Sequence, residues 1–388
     1  MNMSKTLVIT NDFPPRPGGI QTFVHGLIEG LDPNEVVVLS SKYKGWQEFD
    51  KEQKYPVFRH DTEMLLPTKA VGDHALKLIK EHNCESVLFG ASSPLGLLSS
   101  RLKSNGVKKT VALTHGHEVG WAFTPGLKQT FQKIVKDVDK LTYLTKFTYE
   151  KIAEAISAQD LTKFEQLTPG IDTNMFNPAN VTNGQAQSVR DRFKLGDKPV
   201  VVCVSRLMPR KGQDSLIDLW PEVLKQVPNA HLLIVGGGSY KQHLHKQMFD
   251  NDVHQSVTIT GSVSWNELPG FYAAGDVFAM PVRTRNLGFD VEGLGIVYLE
   301  ASATGLPVIA GNSGGAPDAV IEGITGFVLN AKKETLLVEK IVELLLNKEL
   351  STRLGKQGRS WIEKQWQWPS RHLQLRKLLA TDVSQRWD

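Results

Sequence analysis

A chain of 388 residues, 40% hydrophobic and 22% charged, has the composition of a globular protein and is long enough for two domains, because single cores stop growing at about 250–300 residues. The formal charge of +4, with no block of five or six like charges, argues against a nucleic-acid-binding tail, and no run of 18 apolar residues is present to span a bilayer. The two cysteines, Cys84 and Cys203, each sit in an apolar strand-like setting and read as packed thiols rather than as a disulfide or a metal site.

The first residues, MNMSK, pass straight into an apolar run without the basic region and long apolar stretch of a signal peptide, so a cytoplasmic location is expected. TLVIT (6–10) predicts a buried strand. NDFPPRPGGIQTFV (11–24) follows, with Gly18 and Gly19 just ahead of a helix near Gln21. Strand, glycines and helix suggest a cradle for phosphate, yet the dinucleotide fingerprint G-x-G-x-x-G is absent. EVVVLS (35–40), SVLFG (86–90), TVALTH (110–115) and KLTYLT (140–145) are further strands between helical patterns, which predicts a parallel, doubly wound α/β sheet.

LTPGIDTNMFNP (167–178) reads as a linker. A second strand series then begins: VVVCVS (200–205), HLLIVGGG (231–238), VTITG (257–261), DVFAMP (276–281), PVIAG (307–311) and GFVLN (326–330). The expected domains are 1–168 and 169–368, both Rossmann-like. ETLLVEKIVELLLN (334–347) and 350–368 are helical, Pro369 interrupts, and SRHLQLRKLL (370–379) forms one more helix within a segment, 369–388, expected to return to the first domain.

Two stretches of the second domain carry the chemistry. SRLMPRKG (205–212) follows a strand and offers Arg206, Arg210 and Lys211 ahead of a helix near Gln213. Open α/β sheets bind ligands at the carboxyl ends of their strands, and Arg with Lys suits a diphosphate; a solvated basic turn is the plain alternative. In EGLGIVYLEASATGLPVIAG (292–311), Gly293 and Gly295 precede a helix whose N-terminus favours an anion, and Glu292 and Glu300 suit sugar or ribose hydroxyls. The alternatives there are a tight turn and a partly exposed helix acid.

Arg206 with Lys211 five residues on, Glu292 and Glu300 as E-x7-E, and A-x-A-x-G-x-P-V-I after them resemble the donor site of the retaining nucleotide-sugar glycosyltransferases of family 4. The resemblance extends to the GGI loop, the H-G at 115–116 and the P-G-I-D linker. It implies the GT-B fold, two Rossmann-like domains facing across a cleft, with the first domain on the acceptor side and the second holding the donor. It further implies that Arg206 and Lys211 hold the diphosphate, Glu292 the transferred sugar and Glu300 the ribose. Backbone N–H groups at Leu294, Gly295 and Ile296 would cap the phosphates, the main chain near Val263 would read the base, and Gly18 and Gly19 would form the facing wall. His115, or alternatively His117, would lie beside the sugar; a structural histidine is the ordinary default for either.

The resemblance implies a leaving diphosphate that takes the acceptor's proton on the retained face. Because there is no D-x-D pair at a strand end, no metal is expected, and no permanently bound cofactor. NDFPPRPGGIQTF, THGHEVGWA and VRTRNLGFDVEGLGIVYLEA are similar to the phosphatidylinositol mannoside mannosyltransferases. That similarity implies GDP-mannose as donor, a phosphatidylinositol mannoside acceptor extended through an α-1,6 bond, and peripheral attachment to the anionic inner face of the plasma membrane. For that attachment, TPGLKQTFQKIVKDVDK (124–140) sets Leu127, Phe131, Ile134 and Val135 on one face with Lys128, Lys133 and Lys136 about it; a helix packed on the sheet is the alternative. Transfer to another glycolipid, a nucleotide-sugar epimerase of the same fold and a non-catalytic sugar-nucleotide sensor are the competing readings.

Overall fold

Every residue of the first strand, β1 (Thr6–Thr10), is buried, as expected of an apolar run covered on both faces. The computed structural model describes residues 5–181, 184–288, 290–330 and 333–381. The N-terminal residues 1–4 and the last part of the returning segment, 382–388, lie outside the described residues. β2 (Val36–Ser41), β3 (Val57–His60), β4 (Ser86–Phe89), β5 (Lys109–Ala112), β6 (Lys140–Tyr143) and β7 (Phe164–Gln166) complete a sheet in the order β3-β2-β1-β4-β5-β6-β7. All its pairs are parallel, with β1 flanked by β2 and β4.

A second parallel sheet is built from β8 (Val200–Val204), β9 (His231–Val235), β10 (Val257–Ile259), β11 (Val277–Met280), β12 (Val308–Gly311) and β13 (Gly326–Leu329). Its order is β10-β9-β8-β11-β12-β13. In both sheets the strand order reverses beside the first strand, between β1 and β4 and between β8 and β11. That reversal opens a crevice at the carboxyl ends of those strands, the usual ligand position in such sheets.

The expected strands all form. β3 and β7 have no counterpart among them, and they are the two edge strands of the first sheet. VFRH (57–60) is only half-buried and Phe164–Gln166 spans three residues, so neither needs the continuous apolar run that marks an interior strand.

The chain divides into two compact units, Met1–Gly170 with Trp368–Asp388, and Ile171–Gln367. The helix Trp368–Leu379 belongs to the first unit and packs on the helix Gly19–Glu29. Gly26 and Gly30 make that contact possible. A Cβ on Gly26 would come within 2.5 Å of the Trp368 ring, and one on Gly30 within 1.9 Å of the His372 ring. His372 Nε2 then donates to the Gly26 carbonyl at 2.8 Å and Arg376 to that of Gly30 at 3.2 Å.

The helix Leu127–Asp137 turns Phe131, Ile134 and Val135 into the core of the first unit. Its apolar face is therefore consumed by packing, contrary to the membrane-facing reading, and only Leu127 and the preceding Phe123 remain exposed. No described helix is long and apolar enough to cross a membrane.

Candidate active site

β8 ends in the loop 205–212, which is shaped by Gln213 at the start of the helix Gln213–Gln226. The buried Gln213 amide donates to Ser205 Oγ at 2.7 Å and to the Arg206 carbonyl at 3.0 Å, so the loop is pinned to the helix it feeds. Lys211 is buried, and its Nζ meets Glu292 Oε2 at 2.5 Å. Arg210 donates to Asp290 Oδ1 at 3.0 Å and sets its Nε 3.7 Å from the same Glu292 oxygen. Arg206 is exposed and, among the described residues, makes no ion pair or side-chain hydrogen bond.

Glu292 lies 81 positions from Lys211 in the chain and reaches it because β8 and β11 are neighbours. Burial alone would raise its carboxyl, but the charges of Lys211 and Arg210 override it, and Glu292 titrates below the ordinary glutamate value. Its carbonyl accepts from the Gly315 N–H at 2.8 Å. Gly295, with φ of 80°, caps the helix Ile296–Ala303, a backbone setting that favours glycine over any residue with a Cβ. Leu294 is buried beside it and Ile296 half-buried, so the first turn of that helix leaves the same loop as Glu292.

Glu300 sits on the buried face of that helix. Burial drives its carboxyl up to about 7, opposed by a 2.6 Å hydrogen bond from the Tyr272 hydroxyl. Tyr298 anchors the helix by donating to the Met280 carbonyl at the end of β11, at 2.7 Å. A second network braces the loop after β11. The Arg283 guanidinium forks onto Asp214 and reaches Ser215 Oγ at 2.8 Å, while Tyr240 donates to Asp214 at 3.0 Å. Val263 is half-buried in the loop that follows β10.

In the first unit, Gly18 and Gly19 end the loop after β1. Gly18 has φ of 152°, and a Cβ there would meet Gln21 Oε1 at 2.2 Å, so this position requires glycine. Gln21 donates to Asp12 at 2.7 Å, tying the start of the loop to the helix at its end. His115 follows β5 and is buried. Its Nε2–H donates to the Gly90 carbonyl at 2.6 Å, and burial lowers its pKa, so the ring is neutral and committed to the backbone. His117 stacks on it with ring centroids 6.2 Å apart and keeps its side chain about 44% exposed, which leaves it the more accessible of the two rings.

Glu118 went unnoticed in the sequence although it organises this corner. Fully buried, it accepts from the N–H groups of His115 and Gly116 at 2.9 and 3.1 Å and from Ser92 Oγ at 3.2 Å. Asp214, Tyr272, Arg283, Asp290 and Tyr298 are likewise structural members of the second-unit site, and Arg210, already singled out beside Lys211, pairs with Asp290 there. Of the five that went unnoticed, only Asp214, an acid in the first turn of a helix, carried a local sign. Of the residues singled out from sequence, Lys211 and Glu292 are joined directly. Leu294, Gly295, Ile296 and Glu300 share the loop and helix that follow, whereas Val263 and the Arg206 side chain stand apart from that network. Among the described residues, no group of three or more His, Cys, Asp or Glu could hold a metal ion.

The sequence profile of the glycosyl transferases group 1 matches residues 185–361. A Mycobacterium tuberculosis protein named GDP-mannose-dependent alpha-(1-6)-phosphatidylinositol monomannoside mannosyltransferase is 41% identical over 390 residues, covering 99% of this chain and 100% of the relative. A Corynebacterium glutamicum protein named GDP-mannose-dependent monoacylated alpha-(1-6)-phosphatidylinositol monomannoside mannosyltransferase is 42% identical over 383 residues, covering 97% and 98%. Among solved structures, Anabaena Alr3699/HepE in complex with UDP superposes with a TM-score of 0.83 at 17% identity, covering 97% of this chain and 99% of that one. At that identity the likeness speaks for the fold, which is GT-B with two Rossmann-like units. With relatives of this similarity along its whole length, the chain belongs to the group 1 glycosyltransferases.

Proposed function

We propose that the protein transfers mannose from GDP-mannose to phosphatidylinositol monomannoside through an α-1,6 bond, with retention at the sugar. The observation that carries this reading is the 41% identity, end to end, with the Mycobacterium tuberculosis mannosyltransferase of that name. The test offers GDP-mannose and UDP-glucose with phosphatidylinositol or its monomannoside and identifies the lipid product by mass. Mannose added to the monomannoside is expected; mannose on neither lipid overturns the substrate reading.

In this reading Lys211 and the exposed Arg206 take the donor diphosphate, and the N-terminus of the helix Ile296–Ala303 adds backbone N–H groups. Glu292 receives hydroxyls of the mannose and Glu300 those of the ribose, with the main chain near Val263 at the base. Lys211 is engaged by Glu292 at 2.5 Å, so donor binding must draw the ammonium toward phosphate while Arg210, 3.7 Å away, stays with the carboxylate. Charge then builds on the leaving diphosphate among fixed cations, and a phosphate oxygen takes the acceptor's proton. The His115 ring, its N–H committed to the Gly90 carbonyl, takes no proton in this reading.

Because these cations supply the charge stabilisation, the reaction proceeds without a divalent metal. Turnover is expected to persist in excess chelator; loss restored by magnesium or manganese would count against it. The acceptor places the enzyme at the cytoplasmic face of the plasma membrane as a peripheral protein.

A further inference from the structure

Two features at the carboxyl edge of the first sheet take no part in the chemistry above. One is Arg16, in the loop after β1 and two residues before Gly18. Its Nη2 donates to the Glu63 carbonyl at 2.9 Å, and its guanidinium lies over the Tyr43 ring, 5.1 Å from the centroid. Its Nε is buried with no hydrogen-bond partner among the described residues, where of the three guanidinium nitrogens only Nη2 is used. Buried donors are nearly always satisfied, and a planar cation with most of its donors idle is matched to an oxyanion.

The other feature is a group of large apolar side chains left in solvent on the loops after β2 and β3. Tyr43 is 38% exposed, Met64 58% and Leu66 48%. These loops are locked to the Arg16 loop. The Asn11 side chain pairs with both backbone groups of Leu65, at 2.9 and 2.6 Å, and the Lys42 N–H donates to the Thr62 carbonyl at 2.8 Å. Buried Arg59 spans all three segments, donating to the carbonyls of Pro14 and Ser41 and to the Asp50 carboxylate. The surface is therefore rigid before any ligand arrives. Its charges are Arg16, Lys42 and Lys44 against Asp61 and Glu63, and Asp61 is already taken by Lys42 at 2.8 Å. A basic and apolar rim of this kind matches the boundary between anionic head groups and acyl chains.

We propose that Arg16, seated on Tyr43, binds the phosphodiester of a phospholipid acceptor, with Met64 and Leu66 entering the acyl layer beside it. The proposal rests on the reading of the acceptor as an inositol phospholipid. It makes Arg16 the residue that separates a phosphate-bearing acceptor from a free mannosyl-inositol.

Acceptor KM is measured for the monomannoside in vesicles, for its deacylated glycerophospho form and for mannosyl-inositol without phosphate. Arg16→Gln is expected to erase the preference for the glycerophospho acceptor over the phosphate-free one, a loss of roughly tenfold or more in KM for one charge-assisted contact, with the GDP-mannose KM unmoved. Arg16→Lys recovers part of it. Met64→Ser with Leu66→Ser raises KM for the vesicle acceptor and leaves the deacylated one as it was. A preference retained in Arg16→Gln overturns the phosphate assignment, and equal effects of the double substitution on both acceptors overturn the acyl assignment. Inorganic phosphate competing as well as glycerophosphoinositol would reduce the site to a general anion site and overturn it as a head-group site. A wild-type enzyme that mannosylates none of the three acceptors removes the acceptor reading itself.

Discussion

Lys211→Ala is expected to cut turnover by roughly a hundred- to a thousandfold, the usual loss when one preorganised donor to developing charge is removed. The geometry adds a second consequence. Glu292 is 7% exposed and, among the described residues, keeps only Arg210, at 3.7 Å, once Lys211 is gone. Removing one partner of a buried ion pair costs about 3–5 kcal/mol, because the other charge stays behind without water. The variant should therefore melt earlier as well as turn over slowly. The two effects separate in Lys211→Ala with Glu292→Gln, where the orphaned charge is gone: most of the stability returns and the turnover does not. Thermal unfolding and steady-state kinetics with GDP-mannose read the two quantities independently. Near-normal turnover in the single variant would dismiss Lys211 as the diphosphate cation.

Glu300→Gln is expected to stabilise the protein above neutral pH while weakening its hold on the donor. Burial holds the Glu300 carboxyl at about 7, against 4.5 for an unburied glutamate. Between those values the folded chain keeps a proton that the unfolded chain has released, so stability falls as pH rises through the window and is level above it. A shift of that size corresponds to roughly 3 kcal/mol, or several degrees of melting temperature for a unit of this size. Glu292 works in the opposite sense. Its lowered pKa contributes stability that is present above the ordinary glutamate value and lost as pH falls through the folded one. Glutamine at 300 abolishes the first dependence and leaves the second. It also replaces a carboxylate that ribose hydroxyls would favour in its charged form, so the GDP-mannose KM rises. Melting curves of both proteins at pH 5 and pH 8 decide it: a gain of the same size at both values sinks the account.

Sequence reading succeeded where local chemistry repeats and failed where neighbours are brought together by topology. The interior strands announce themselves because helices cover both faces and nearly every position is apolar, as in Thr6–Thr10 and Val200–Val204. β3 and β7 face this demand on fewer sides and leave no such run. At the site, Lys211, Glu292 and Glu300 were legible from glycine-bounded loops at strand ends. Their partners were not. Nothing local to Arg210 pairs it with Asp290, 80 positions away, and nothing local to Tyr272 aims it at Glu300, 28 positions on. The first contact exists because β11 lies beside β8 and their carboxyl ends share one crevice, and the second joins the helices Leu268–Ala273 and Ile296–Ala303 on either side of β11 in the chain. The helix Leu127–Asp137 marks another limit. A stripe of Phe131, Ile134 and Val135 reads the same whether it faces lipid or a sheet, and here it faces the core.

The returning helix Trp368–Leu379 bears on how the protein comes into being. The second unit, Ile171–Gln367, is one uninterrupted stretch of chain, whereas the first borrows a helix from the chain beyond the second. A ribosome makes the chain from the N-terminus, so residues up to Gly170 emerge early with Gly26 and Gly30 still bare of Trp368 and His372. The later unit is thus the first whose every part is available to fold. The earlier one waits, with an open helix face, until Trp368–Leu379 has been made. A chain truncated before Trp368 would hold every segment of the second unit and an incomplete first.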